Sequence, residues 1–158
     1  MKILMVLGPG DSYLNLFSHT IVNMLSDADS IQVMPVGDVS PAEWQWADWL
    51  VMGTRWDSAL DTREIEDFIA ALPNDVPSPK TVSIFQIQSR EDPPISGAYG
   101  YGLARKLCAR GMTLLAPPSV FFKSNSFSEL EGELLRAANW LAALACDLDA
   151  SSTSTNAV

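Results

Sequence analysis

The feature of this sequence that most restricts its fold is a series of short, unbroken apolar runs. One of them, Ile3–Leu7, stops at Gly8, and another, Trp49–Met52, follows Asp48 and stops at Gly53. Runs of this length without polar alternation are typical of strands buried on both faces, as in a parallel sheet. We predict strands over Lys2–Leu7, Ile31–Val36, Asp48–Met52, Thr81–Ile87 and Met112–Leu115.

Between the predicted strands, apolar residues recur at the three- and four-residue spacing of amphipathic helices. The stripe that begins at Leu14 and Phe17 belongs to a first helix, which Asp11 or Ser12 can cap. Further helices are predicted over Asp61–Leu72, Tyr99–Arg110 and Phe127–Ala145, with a short helical piece from Pro41.

The alternation of strands and helices predicts an α/β fold in three layers, with helices on both faces of a five-stranded parallel sheet. Right-handed crossovers leave few strand orders, and in the order 2-1-3-4-5 the crevice lies between strands 1 and 3. The loops at residues 8–13 and 54–60 are then neighbours. We predict a single domain over residues 1–146 and a disordered tail over residues 147–158.

The net charge restricts the partners of the chain, and the cysteines indicate its compartment. With 10 basic and 19 acidic residues the net charge is −9, which repels nucleic acids and suits a basic protein partner, or serves solubility alone. Cys108 and Cys146 lie in helical apolar patterns, so we expect reduced core thiols in a cytoplasmic protein.

A single histidine, His19, argues against a metal site, and no apolar run has the length of a membrane span. We expect a monomer or a weak dimer.

The candidate binding site is the stretch from Gly53 to Asp57. Gly53 and Thr54 are expected to turn the chain out of the third strand, and Trp56 then follows at the strand's carboxyl end. Ligands of open α/β sheets bind at this edge, where a tryptophan can offer a flat face to a flat ligand. The alternative is an ordinary loop tryptophan that packs on its own helix.

No side-chain nucleophile and base are evident, so we predict no catalytic residue and assign any chemistry to a cofactor. The sequence has neither a nucleotide P-loop nor a GxSxG elbow. Gly8 and Gly53 stand where a phospho-acceptor receiver domain needs acidic residues. Gln86, Gln88 and Ser89 end the fourth strand at the crevice rim, where their side chains could bind a ligand edge or only water.

The stretches that begin at Gly53 and at Gly97 resemble segments of the flavodoxin family. The segment 53–56, Gly-Thr-Arg-Trp, is similar to its second flavin loop, in which a tryptophan stacks on the flavin ring. The segment 97–102, with Tyr99 and Tyr101, is similar to its third loop, whose tyrosine covers the other ring face. The junction at residues 109–112 and the helix at 133–144, with Trp140, also resemble the family, and the short path from Leu115 to Phe127 implies a short-chain form.

The resemblance implies a flavodoxin-like sandwich that holds FMN between three loops. The residues implied to bind the cofactor are Gly8, Pro9, Gly10, Asp11, Ser12 and Tyr13, then Thr54, Arg55, Trp56, Asp57 and Ser58, then Gln88, Ser89, Tyr99 and Tyr101. The first loop departs from the family, because it lacks a Ser/Thr cluster, Pro9 has no N–H, and Asp11 is negative where a phosphate would lie. Either Asp11 points outward, or flavin binds weakly, or the ligand lacks that phosphate.

Three functions follow from this resemblance. The first is an FMN-dependent electron carrier whose acidic surface docks on a basic redox protein. The second is a flavin-dependent reductase of a small molecule, in which the long loop at residues 88–97 shapes the pocket. The third is a cofactor-free interaction domain that uses Trp44, Trp46 and Trp49, although we interpret these mainly as a local packing cluster.

Overall fold

A computed structural model of the chain describes residues 1–9, 12–25, 30–55, 63–72, 80–91 and 98–155. The strands are β1 (Ile3–Leu7), β2 (Ile31–Pro35), β3 (Trp49–Arg55), β4 (Thr81–Ser89), β5 (Thr113–Leu114) and β6 (Ser119–Lys123). The helices are α1 (Ser12–Asn23), α2 (Pro41–Trp46), α3 (Arg63–Ala71), α4 (Ala98–Cys108) and α5 (Phe127–Thr155). A 3-10 turn covers Val36–Asp38.

The sheet is parallel and has the order β2-β1-β3-β4-β5, with β6 also paired to β4. The predicted α/β class and strand order are therefore confirmed. In the centre of the sheet Leu7 is level with Gly53, and Gly53 is level with Phe85. This register brings the carboxyl ends of β1, β3 and β4 to one edge.

The alternation of side chains along the strands divides the core into two layers. On one face Met5, Val51 and Phe85 pack with buried residues of α1 and α5. On the other face Val6 and Met52 pack with residues of α2, α3 and α4. All five side chains are less than 2% exposed, so the central strands are buried on both faces, which explains the unbroken apolar runs of β1 and β3.

The central strands are longer than predicted. Gly53 and Thr54 do not turn the chain away from the sheet, because they continue β3 in register with Phe85 and Gln86. A glycine is needed at position 53, where a Cβ would lie 2.5 Å from Phe85 Cζ and 2.9 Å from Leu7 Cδ2. The prediction mistook a packing glycine for a turn glycine.

The fifth position of the sheet holds two strand segments in place of one. The predicted strand over Met112–Leu115 corresponds to β5, which pairs with the start of β4. After Pro117 and Pro118, β6 pairs with the second half of β4. The prolines interrupt the strand because they cannot donate to the ladder.

Helix α5 extends ten residues beyond its predicted end at Ala145. Leu148 is half-buried against the core, which continues the apolar stripe past that point. The division into a domain over residues 1–146 and a disordered tail stays a prediction, and residues 156–158 lie outside the described part.

Both cysteines lie on helix surfaces and are free, so the expectation that they are core residues is wrong.

The tryptophans at positions 44, 46 and 49 do not form one cluster. Trp49 is fully buried in the layer with α1 and α5, where its Nε1 donates to Ser83 Oγ at 3.1 Å. Trp44 is buried in the opposite layer, and Trp46 is half-buried there. Residues five positions apart are separated in this way because the sheet lies between them.

Gly53→Ala tests the close packing at the end of β3. The new methyl group collides with Phe85 and Leu7, so we expect the free energy of unfolding to fall by about 1–3 kcal/mol. Gly102→Ala is the matched control, because nothing lies within 4 Å of its Cβ position in α4. That variant should gain about 0.5–1 kcal/mol from helix propensity. Urea denaturation measures both, and equal effects would contradict the packing account.

Candidate functional site

The candidate site lies at the carboxyl ends of β1, β3 and β4. The Gly8 N–H donates to the Gly53 carbonyl at 2.8 Å, which extends the β1–β3 ladder past Leu7. The chain therefore leaves β1 directly beside β3. This is the switch point of the strand order, since α1 leads to β2 on one side while β3 lies on the other.

The structure places ten predicted site residues at or near this edge and leaves five outside the described part. Gly8 and Pro9 follow β1, and Ser12 and Tyr13 begin α1. Thr54 and Arg55 end β3, Gln88 and Ser89 end β4, and Tyr99 lies in the first turn of α4, with Tyr101 close behind it. The residues outside the described part are Gly10, Asp11, Trp56, Asp57 and Ser58.

Two backbone positions of the first loop cannot hold a phosphate. The Gly8 N–H is already used by the Gly53 carbonyl, and Pro9 has no N–H. An anion at this edge must therefore depend on other groups.

Lys123 places a positive charge near this edge, with its Nζ 5.2 Å from the centroid of the Tyr13 ring at the start of α1. The Ser124 N–H also faces the Tyr13 hydroxyl at 3.4 Å, across 111 residues of sequence. Lys123 is not evident from the sequence, because only the fold brings the end of β6 to the start of α1.

A buried polar pair lies at the ends of β3 and β4. Thr54 and Gln86 are level with each other and are both 0% exposed. Neither Thr54 Oγ1 nor Gln86 Oε1 has a hydrogen-bond partner within the described part of the chain. The Gln86 amide donates to Gln88 Oε1 at 3.4 Å, and Gln88 is buried too. Both glutamines lie near the end of β4, as predicted, but their side chains are buried in the ligand-free chain.

Such a pair lowers the stability of the fold, because each buried polar atom without a partner reduces the free energy of unfolding by about 1–3 kcal/mol. The Thr54 hydroxyl can donate or accept, and Gln86 Oε1 can accept. The polar edge of a flavin ring carries both carbonyl oxygens and an N–H. The chemistry of the pair therefore fits such a ring, as well as a bound water molecule.

The two tyrosines of α4 have different surroundings. Tyr99 is half-buried against the layer that contains α3 and α4, whereas Tyr101 is 49% exposed. Burial, with a smaller contribution from the charge of Glu66, raises the pKa of Tyr99 to about 12, so its phenol stays neutral. Tyr101 has the more accessible ring for a flat ligand.

Gly100 allows the start of α4 to lie close to the sheet. A Cβ at this position would lie 2.8 Å from Pro118 Cβ and 3.3 Å from Gln86 Oε1. The glycine between the two tyrosines therefore lets the first turn of α4 approach Gln86 of β4 and Pro118, the residue before β6.

A cavity of about 500 Å³ lies at the opposite end of the sheet, between the start of the strands and α5. Its wall is about equally polar and apolar, and its apolar part includes Ile3, Ile31 and Leu141. The polar wall residues Ser30 and Asp149 already interact within the chain. Because ligands of this fold class bind at the carboxyl ends of the strands, the cavity is not the candidate site.

The described residues show neither a metal site nor a membrane helix. No group of three or more His, Cys, Asp or Glu side chains among them is arranged to hold a metal ion. None of the helices in that part of the chain has both the length and the apolar character needed to cross a membrane.

Comparison with solved structures identifies the fold. Flavodoxin 2 from Bacillus cereus superposes with a TM-score of 0.71 at 18% identity, covering 93% of this chain and 99% of that one. Flavodoxin 1 from the same organism gives 0.64 at 17% identity, covering 90% and 98%. The chain has the flavodoxin fold. Neither the protein-family models nor the curated proteins give a match.

The flavodoxin fold also occurs inside longer proteins. Rubredoxin oxygen:oxidoreductase from Desulfovibrio gigas matches with a TM-score of 0.64 at 14% identity. The match covers 93% of this chain but only 37% of that protein. At these identities the comparisons establish the arrangement of the chain, and the roles of individual residues need separate tests.

Thr54→Val tests whether the hydroxyl at the end of β3 is unsatisfied in the ligand-free protein. Replacing it with a methyl group of similar size should raise the free energy of unfolding by about 1 kcal/mol. Ser83→Ala is the matched control, because Ser83 is equally buried but accepts a hydrogen bond from Trp49. That variant should lose about 1–3 kcal/mol, since it leaves the indole N–H without its acceptor. Destabilisation by Thr54→Val would show that its hydroxyl has a partner.

Proposed function

We propose that this chain is an FMN-binding electron carrier with the flavodoxin fold. The observation that supports this most directly is the meeting of three predicted flavin-binding segments at one edge of the sheet. Gly8 is hydrogen-bonded to Gly53, and Gly100 lies against Gln86 and Pro118. Solved flavodoxins share this fold over nearly the whole chain.

In this proposal the ring lies between Trp56 on one side and a tyrosine of α4 on the other. Tyr101 is the better candidate, because Tyr99 is half-buried in the core. The polar edge of the ring is proposed to reach Thr54 and Gln86, which are fully buried in the ligand-free chain, and to give their unsatisfied oxygens a partner. Bound FMN would supply reversible electron acceptance, and the protein residues would bind it and exclude water.

The phosphate of FMN is bound less favourably than the ring, because the first loop offers it few donors. Gly8 and Pro9 offer it no N–H, so we assign its binding to the first turn of α1 and to Lys123. The net charge of −9 then suits a redox partner with a basic surface, because opposite charges steer association.

The other two functions have less support. A reductase needs a pocket for a second molecule, but Gln88 and Ser89 of its proposed loop belong to β4, and residues 92–97 lie outside the described part. An interaction domain that uses the tryptophans at 44, 46 and 49 needs them exposed, yet Trp44 and Trp49 are buried.

Trp56→Ala tests the ring site. Loss of a stacking partner and its apolar area should raise the Kd for FMN about tenfold or more. Trp46→Ala is the matched control, because it also removes one indole, but from a half-buried position near Lys2 at the start of β1, away from the candidate site. Quenching of flavin fluorescence gives both constants. Unchanged affinity in Trp56→Ala would contradict the assignment of the stacking residue.

Lys123→Ala tests the phosphate site. Removal of one partly exposed positive charge should weaken FMN binding about fivefold, or roughly 1 kcal/mol. Riboflavin has no phosphate, so its affinity should not change. Lys106→Ala, which removes an exposed charge paired with Glu66, controls for net charge. Equal losses for FMN and riboflavin would mean that Lys123 acts by packing on Tyr13.

A further inference from the structure

The outer side of β6 is an open edge of the sheet. β6 pairs with β4 on one side, and the described residues place no strand on its other side. Its central residues, Val120, Phe121 and Phe122, are β-branched or aromatic and suit a strand. An edge of this kind can pair with another chain, so proteins usually block it.

Two side chains of α5 occupy the backbone groups of this edge. The Phe122 N–H donates to Glu133 Oε2 at 2.8 Å, and Arg136 Nη2 donates to the Val120 carbonyl at 2.7 Å. The same two side chains form an ion pair, with Arg136 Nη2 2.6 Å from Glu133 Oε2. The Arg136 guanidinium also lies 4.6 Å from the centroid of the Phe121 ring. We call Glu133 and Arg136 the clasp.

The clasp is partly shielded from water. The Glu133 side chain is only 12% exposed, whereas that of Arg136 is 48% exposed. Burial by itself would raise the pKa of Glu133, but the hydrogen bonds from Arg136 and the Phe122 N–H outweigh it, with help from the charges of Arg136 and Arg90. The pKa of Glu133 is therefore lowered, and the carboxylate stays charged at neutral pH.

The groups held by the clasp are complementary to each other in a second copy of the chain. When two β6 strands pair antiparallel about a two-fold axis at Phe121, Phe122 of one chain lies opposite Val120 of the other. The Phe122 N–H then donates to the Val120 carbonyl in both directions. These are the donor and the acceptor that Glu133 and Arg136 occupy.

The other edge of the sheet is protected in a different way. β2 ends in Pro35, which has no N–H to offer a further strand. β6 contains no proline, so its protection depends on side chains from another element.

We propose that Glu133 and Arg136 form a clasp that keeps the outer edge of β6 from pairing with a second copy of this chain. Removal of the clasp leaves the Phe122 N–H and the Val120 carbonyl available for the two-fold pairing. The ion pair is therefore a device that sets the oligomeric state, in addition to any contribution to stability.

Light scattering on E133A/R136A, measured over a range of protein concentrations, tests this proposal. We expect the mass to rise with concentration from 17.2 kDa towards twice that value. Adding V120P to this double variant should restore the monomer, because proline removes an N–H from the strand edge. E133Q alone should stay monomeric, since its amide oxygen still accepts from Phe122.

E66A/K106A is the matched control, because it also removes one acid and one base 2.8 Å apart but touches no strand edge. It should remain monomeric. A double variant E133A/R136A that stays monomeric at every concentration with a native circular dichroism spectrum would overturn the proposal, as would dimers that persist with V120P. If the double variant unfolds, E133A/R136M carries the test, because methionine keeps apolar cover over Phe121 while neither side chain holds the Phe122 N–H or the Val120 carbonyl.

Discussion

The hydrogen bond from the Gly8 N–H to the Gly53 carbonyl is the constraint on which the candidate site depends. It adds one more bond to the ladder between β1 and β3, and so fixes where the chain leaves β1. Gly53 can occupy this position only because it has no side chain, since Phe85 and Leu7 fill the space. The same bond uses the amide of Gly8, so the close packing that forms the crevice also removes one donor from the first loop.

Much of the fold could be predicted because burial on both faces leaves a direct signal in the sequence. Val6 and Val51 belong to unbroken apolar runs for this reason, and the strand order is confirmed. The ends of strands were less predictable. Gly53 resembles a turn residue, and only the position of Phe85 shows that it is a packing residue.

The candidate site was predictable where its residues follow a strand directly, and less so where distant segments meet. Lys123 and Tyr13 are far apart in sequence, so no local pattern could connect them. Gln86 was expected at a rim, but the approach of α4 at Gly100 buries it. In both cases the decisive information is the packing of one element on another.

The central claim is that the crevice beside β1 and β3 binds the ring of a flavin, with the phosphate adding a smaller part of the affinity. Parallel titrations of the unmodified protein, stripped of any flavin, with FMN and with riboflavin test it most directly through quenching of flavin fluorescence. The account predicts that both flavins bind and that FMN binds more tightly. Absence of quenching with either flavin would contradict it.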